Sequence, residues 1–142
     1  METKQRYTFK KEEKLKSRKT IEQLFREGKS FSNFPFRVLW KFTDASAAPL
    51  QTGFAVSSKN FKKAVDRNRV KRLMREAYRL QKNDLQYHLQ QQSTGPCGQK
   101  KLAVFIIYVG NELPEYVQIF EKMTHVLNRL IKISNENTAA NR

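Results

Sequence analysis

Apolar residues are distributed along the chain in six blocks whose periods differ. From Ser17 to Gly28, the run RKTIEQLFRE sets Ile21, Leu24 and Phe25 on one helical face, with Ser17 suited to the N-cap and Gly28 to the stop. In KSFSNFPFRVLWKF, Phe36, Val38, Trp40 and Phe42 alternate with Arg37, Leu39 and Lys41, which predicts a strand starting at Pro35. Ser30 to Ser32 leaves room for one more short strand. Beyond the small-residue linker TDASAAPLQ, the run QTGFAVSS predicts another strand. A helix capped near Asn60 fits the stretch from Lys59 to Lys82. KLAVFIIYV is almost continuously apolar, the pattern of a central strand covered on both faces. Finally, Leu113 to Ile133 carries Val117, Phe120, Met123, Leu127, Leu130 and Ile131 on a helical stripe, with Lys122, Arg129 and Lys132 towards its end, where the helix dipole favours cations.

Three segments lack such a period. Residues 1 to 16 mix Lys, Arg and Glu around Tyr7, Phe9 and Leu15 and read as an arm. LQYHLQQQSTGPCGQK is polar and contains Gly and Pro, so it reads as a fraying helix end followed by a surface loop over about 90–100. The tail SNENTAANR, 134–142, reads as disordered. With 142 residues the chain suits one domain, 1–142, with an ordered core over about 9–133. No internal repeat interrupts it, and the order helix, strands, helix, strand, helix describes an α+β domain.

Charge changes the picture most. Lys and Arg number 28 against 13 acids, a net charge of +15 and a pI near 10.2, the footprint of a partner that is a polyanion. A membrane surface is the weaker candidate. No apolar run approaches the ~20 residues of a spanning helix, and METKQRYTFKKEEK lacks the apolar centre of a secretory signal. The lone Cys97 asks for no oxidising compartment, so the expected location is the cytoplasm.

Ten of the cations lie in KNFKKAVDRNRVKRLMREAYRLQK, Lys59 to Lys82, against the acids Asp66 and Glu76. On a helix advancing 100° per residue from Arg67, Lys71, Lys82, Arg75, Asn68, Arg79 and Arg72 occupy roughly 0° to 140°, and Leu80, Leu73, Ala77, Val70 and Met74 roughly 220° to 340°. The apolar arc would hold the cations in a fixed array. A charged helix face is ordinarily solvated and braced by acids at i,i+4. Here the acids are too few: Glu76, near 180° and outside the cationic arc, is placed to relieve only Arg72 or Arg79 at its edge. The array therefore predicts phosphate binding, with forked arginine contacts and with Asn68 placed to donate and accept at a base edge or a 2′-hydroxyl.

Other chemistry fares poorly. Cys97, His88 and His125 have no metal-ligand spacing, and Asp44, Asp66, Asp84, Glu112 and Glu115 are scattered. No Gly-rich phosphate loop precedes a helix. Catalysis by this chain alone is not expected, and neither is a metal held by it. The aromatics Phe25, Phe31, Phe34, Phe36, Trp40, Phe42 and Phe54 supply a second hint, because aromatic faces stack on unpaired bases. Phe36, Trp40 and Phe54 fit core positions. The face of Arg37, Leu39 and Lys41 mixes cationic and apolar character and suits a groove for a single strand.

The words AVSSKNFKKAVDRNRVKRLMREAYR closely resemble the protein subunit of bacterial ribonuclease P, whose signature is a strand ending in Val-Ser, a basic KN turn, and Arg-Asn-Arg followed by an aliphatic residue, Lys and Arg. Here that core is Arg67, Asn68, Arg69, Val70, Lys71 and Arg72. The likeness spans about residues 9 to 133, leaving out the Gln/Ser run before Cys97 and the tail. It implies a two-layer α+β sandwich with a mixed four-stranded sheet and three helices, in the order αβββαβα. It also implies a left-handed βαβ crossover, against the usual rule for parallel connections, in a ribosomal-protein-like fold.

The function it implies is removal of the 5′ leader of precursor tRNA by a large catalytic RNA with bound magnesium. The protein would assist without catalytic residues, an obligate protein partner or a membrane. By position, the implied RNA-binding surface is Lys59, Asn60, Lys62, Lys63, Arg67, Asn68, Arg69, Lys71, Arg72 and Arg75. The implied leader-binding cleft is Ile21, Phe25, Arg37 and Leu39. Family members often carry two aromatics on the first helix where this chain has Ile21 and Phe25, so contact at the Ile21 end is expected to be apolar. A ribosomal or other structural RNA-binding protein without a catalytic partner is the alternative, and a metal-dependent nuclease stands third.

Overall fold

The computed structural model describes residues 13–43, 50–93 and 101–140. In chain order the elements are α1 (Arg18–Glu27), β1 (Lys29–Asn33), β2 (Phe36–Thr43), β3 (Leu50–Val56), α2 (Ala64–Gln81), α3 (Asn83–Ser93), β4 (Lys101–Tyr108) and α4 (Tyr116–Ala140). The sheet order is β1-β2-β4-β3, antiparallel between β1 and β2 and between β2 and β4, and parallel between β3 and β4. The mixed four-stranded sheet and α+β class follow the expectation. The apolar run of β4 is explained by its interior place between β2 and β3.

Alternation decides which side chains face which layer. Phe36 and Val38 of β2, Leu102, Val104, Ile106 and Tyr108 of β4, and Leu50 and Val56 of β3 form one buried face. Against it pack Val70, Met74, Ala77 and Tyr78 of α2, Leu85 and Leu89 of α3, and Ile119, Met123, Val126, Leu127 and Leu130 of α4. On the opposite face Leu39 and Ala103 are covered by Leu24 of α1 and by Leu15, and among the described residues α1 is the one helix on that side. Gly28 ends α1 in an extended conformation that any residue adopts. Its lack of a side chain matters for space, because a Cβ there would run into the Leu24 carbonyl oxygen.

Several boundaries differ from the pattern. β1 is a full strand of five residues where only Ser30 to Ser32 hinted at one. The helix expected to be capped near Asn60 starts at Ala64 with Lys63 at the N-cap. A fourth helix, α3, replaces the fraying end expected after Asp84, so the order is αβββααβα; Leu85 and Leu89, one turn apart, are its buried anchors. α4 runs to Ala140, past the Ile133 end of its stripe, and Ser134 is buried where a tail was expected. Residues 94–100, including Cys97, lie outside the described residues, as do Asp44 and the first twelve residues of the arm.

The end of the arm is docked. Leu15 donates its N–H to the Thr52 carbonyl at 3.1 Å and Lys14 bridges to Thr52, which extends the sheet beyond β3. Lys82, 2% exposed, places its Nζ 2.9 and 2.8 Å from the two carboxylate oxygens of Glu13, and the Gln86 amide donates to Glu13 Oε1 at 2.6 Å. A second buried polar contact joins Thr52 Oγ1 to Tyr78 Oη at 2.6 Å. Burial drives the Tyr78 phenol far above its ordinary pKa, opposed by that hydrogen bond and assisted by Glu13.

Candidate nucleic-acid interface

The α2 helix buries one side and offers the other to solvent, but its phase differs from the one the apolar arc predicted. Val70, Met74, Ala77 and Tyr78 are buried, a centre displaced by about 50° from the expected one, and Leu73 is only half-buried. Lys82, which the helical period places in the cationic arc, is a core residue, and so is Tyr78, which is neither one of the cations nor in the apolar arc. The surface that remains is Asn68, Arg69, Arg72 and Arg75, with Lys71 half-buried at its edge and Lys59, Lys62 and Lys63 exposed on the approach to the helix.

Two residues of the Arg-Asn-Arg neighbourhood are tied to the scaffold. The Arg67 guanidinium donates through Nη1 to the carbonyls of Phe61 and Lys62 at 2.7 and 2.9 Å, bracing the turn before α2. The Asn60 amide donates through Nδ2 to the carbonyls of Val109 and Gly110 at 3.0 and 3.2 Å, fastening that turn to the end of β4. Arg79 is engaged with Glu76 at 2.6 Å, and this contact holds the Glu76 carboxyl below its usual range. Among the described residues, Arg69, Arg72 and Arg75 have no ion-pair partner, so the open charge is concentrated there.

The second surface lies on the other side of the sheet. Ile21 is half-buried against Leu15, Leu24, Leu39 and Ala103. Phe25, one turn later, is 58% exposed and sets its ring edge-on to Phe105, with centroids 5.8 Å apart. Leu39 is 5% exposed, so it forms the floor beneath α1 rather than an open wall, a correction to its expected part in the cleft. Arg37 is exposed, and its cross-strand partner is Ile107.

Phe105 and Ile107, in an apolar run whose pattern predicts a strand covered on both faces, line this cleft, because α1 has only ten residues and leaves part of the sheet uncovered. Gly53, the register partner of Phe105, makes the ledge possible, since a Cβ there would lie 2.8 Å from Phe105 Cδ1. Lys41 links to Glu27 at 2.6 Å, fixing the end of α1 to β2 and lowering the Glu27 carboxyl. The cleft is thus a half-open aromatic and aliphatic ledge with a cation at one side, suited to flat bases on a charged backbone.

A family model described as Ribonuclease P matches residues 9–131. The chain is 37% identical over 121 residues to the ribonuclease P protein component of Porphyromonas gingivalis ATCC 33277, with 84% of each chain covered. The chain belongs to the ribonuclease P protein family. Its likeness to the family member from Chlorobium phaeobacteroides is 34% over 128 residues, covering 87% of this chain and 86% of that one. Among solved structures, the RNase P protein from Thermotoga maritima superposes with a TM-score of 0.60 at 27% identity, over 82% of this chain and 96% of that one. The Staphylococcus aureus RNase P protein shares the fold, with a TM-score of 0.62 at 22% identity over 82% and 93%.

Family membership makes the chain a subunit of a ribonuclease complex with an RNA partner, and it sets aside the ribosomal alternative. No described helix is long and apolar enough to cross a membrane. As to the magnesium associated with the resemblance, no three His, Cys, Asp or Glu side chains among the described residues gather where one ion could be held.

Proposed function

We propose that this protein assists a catalytic RNA in removing the 5′ leader of precursor tRNA in the cytoplasm, binding that RNA through α2 and the leader through the cleft beside α1. The observation that carries this reading is the presence of two chemically different surfaces on opposite sides of one sheet. Arg69, Arg72 and Arg75, with Asn68 among them, suit the closely spaced phosphates of a folded RNA, which guanidinium forks engage in pairs. The ledge of Phe25, Phe105 and Ile107 suits a splayed single strand, whose bases stack while Arg37 meets its backbone.

On this reading hydrolysis belongs to the RNA, with magnesium held there. The protein contributes affinity and position: each leader base it captures keeps the scissile bond in register with the RNA. Lys59, Lys62, Lys63 and Lys71 extend the phosphate surface. Arg67 and Asn60 act on it indirectly by fixing the turn from which α2 springs.

The test is precursor-tRNA cleavage at low magnesium with the protein alone, the catalytic RNA alone, and both. Cleavage by the mixture only is expected. Cleavage by the protein alone, or no gain from adding it, contradicts the reading.

A further inference from the structure

Among the described residues, one buried side-chain polar atom has no hydrogen-bond partner: the hydroxyl oxygen of Tyr116, the first residue of α4. A buried donor left unused is unfavourable in the free protein, and such atoms are rare enough to need an explanation. Tyr116 lies on a concavity of about 550 Å³ between α2 and the start of α4, together with Arg72, Arg75, Glu76, Arg79 and Lys14. Burial and the nearby Glu76 carboxylate raise the Tyr116 phenol above its ordinary pKa, with Arg79 opposing, so it keeps its proton at neutral pH. The Glu76–Arg79 pair beside it is partly exposed and lies one helical turn apart, the kind of contact that exchanges partners cheaply.

We propose that this concavity is a phosphate-binding subsite: Arg79 leaves Glu76 and uncovers the buried Tyr116 hydroxyl, which then donates its hydrogen bond to a phosphodiester oxygen of the RNA while Arg75 and Arg79 engage the same phosphate. The inference rests on the reading of α2 as an RNA-binding face and goes beyond it by bringing α4 into that face through a neutral donor. Arg72, at the rim, supplies further positive potential. Glu76 is the opposing charge. It repels the phosphate until the exchange takes place, which makes occupancy of the subsite selective for a ligand already held by neighbouring contacts.

The test compares the full chain with Tyr116→Phe and Arg75→Ala, measuring affinity for a transcript of the catalytic RNA over a salt series together with the melting temperature of each free protein. For Tyr116→Phe the expected result is an affinity about tenfold lower. The salt slope should be unchanged, because a neutral donor releases no counterion. The melting temperature should be equal or higher, because the deleted hydroxyl has no partner to lose. Arg75→Ala should weaken binding and reduce the slope by about one.

Native affinity in Tyr116→Phe overturns the subsite, and so does a weakening accompanied by a lower melting temperature, which would make the hydroxyl structural. If Arg75→Ala also leaves affinity and slope unchanged, the RNA-binding reading of α2 fails as a whole. If Arg75→Ala behaves as expected and Tyr116→Phe does not, only the subsite fails. In a further arm, inorganic phosphate at millimolar concentration should stabilise native protein and Tyr116→Phe equally. Stabilisation that depends on Tyr116 would make free phosphate the ligand and overturn the RNA assignment.

Discussion

The exposed face of α2 and the cleft beside α1 are built from opposite materials. The first is a property of one helix: Arg69, Arg72 and Arg75 are neighbours in sequence, and their presentation needs only that Val70, Met74, Ala77 and Tyr78 be buried behind them. The second exists only after long-range assembly. Phe25 comes from α1, Arg37 from β2, Phe105 and Ile107 from β4 and Gly53 from β3, with Leu15 and Leu24 sealing the floor. A surface of local origin survives damage elsewhere, whereas an assembled one inherits every weakness of its supports.

The severest way to probe that contrast is Lys82→Ala. It removes the ammonium that lies 2.8 Å from the Glu13 carboxylate, whose side chain is 12% exposed, and breaking one partner of a buried pair costs about 3–5 kcal/mol. Denaturant unfolding should register the loss. If the cleft depends on the docked arm, leader preference should fall in the folded fraction while the salt slope of RNA binding stays. A variant of near-native stability would mean that Glu13 and Lys82 are solvated and the arm is not fastened by them. Replacing both, as Glu13→Leu with Lys82→Met, should recover much of the stability, because apolar side chains of similar size need no charged partner in a buried place.

Phe25→Ala is expected to act next most strongly. An aromatic face under an unpaired base contributes about 1–3 kcal/mol, so affinity for precursor tRNA should fall roughly 5- to 150-fold relative to mature tRNA. Equal loss for both substrates would place Phe25 among the packing residues.

A smaller effect separates scaffold from site inside the signature. Asn60→Ala removes two hydrogen bonds to the end of β4 and should cost about 1 kcal/mol of stability with no change in the salt slope. A lowered affinity at unchanged stability would return Asn60 to the list of direct RNA contacts.

The two regions also differ in how far the sequence discloses them. The α2 face was legible because helical periodicity and unbalanced charge are local signals. Its phase was misplaced because Tyr78 is amphipathic, and because the acid that buries Lys82 stands 69 residues away in Glu13. Of the cleft, Phe25 was visible as an aromatic beside a mixed strand face. Phe105 and Ile107 were not, since an unbroken apolar run gives no sign that a ten-residue helix leaves part of one face open. Helix α3 was hidden for a similar reason: Leu85 and Leu89 are its anchors in a run dominated by polar residues, and the surface they fill belongs to other elements. The role of Tyr116 has no signal in the sequence, because an unused hydroxyl is a property of packing.

The division of labour is tested most directly by one crossed measurement on the assembled holoenzyme. Affinities for precursor tRNA with a leader and for mature tRNA, and the salt slope of protein binding to the catalytic RNA, are determined for Arg75→Ala and Phe25→Ala. Arg75→Ala should reduce the salt slope by about one and leave the precursor-to-mature ratio unchanged, while Phe25→Ala should lower that ratio and leave the slope unchanged. If both variants change both quantities together, the two surfaces form a single site and the division does not hold.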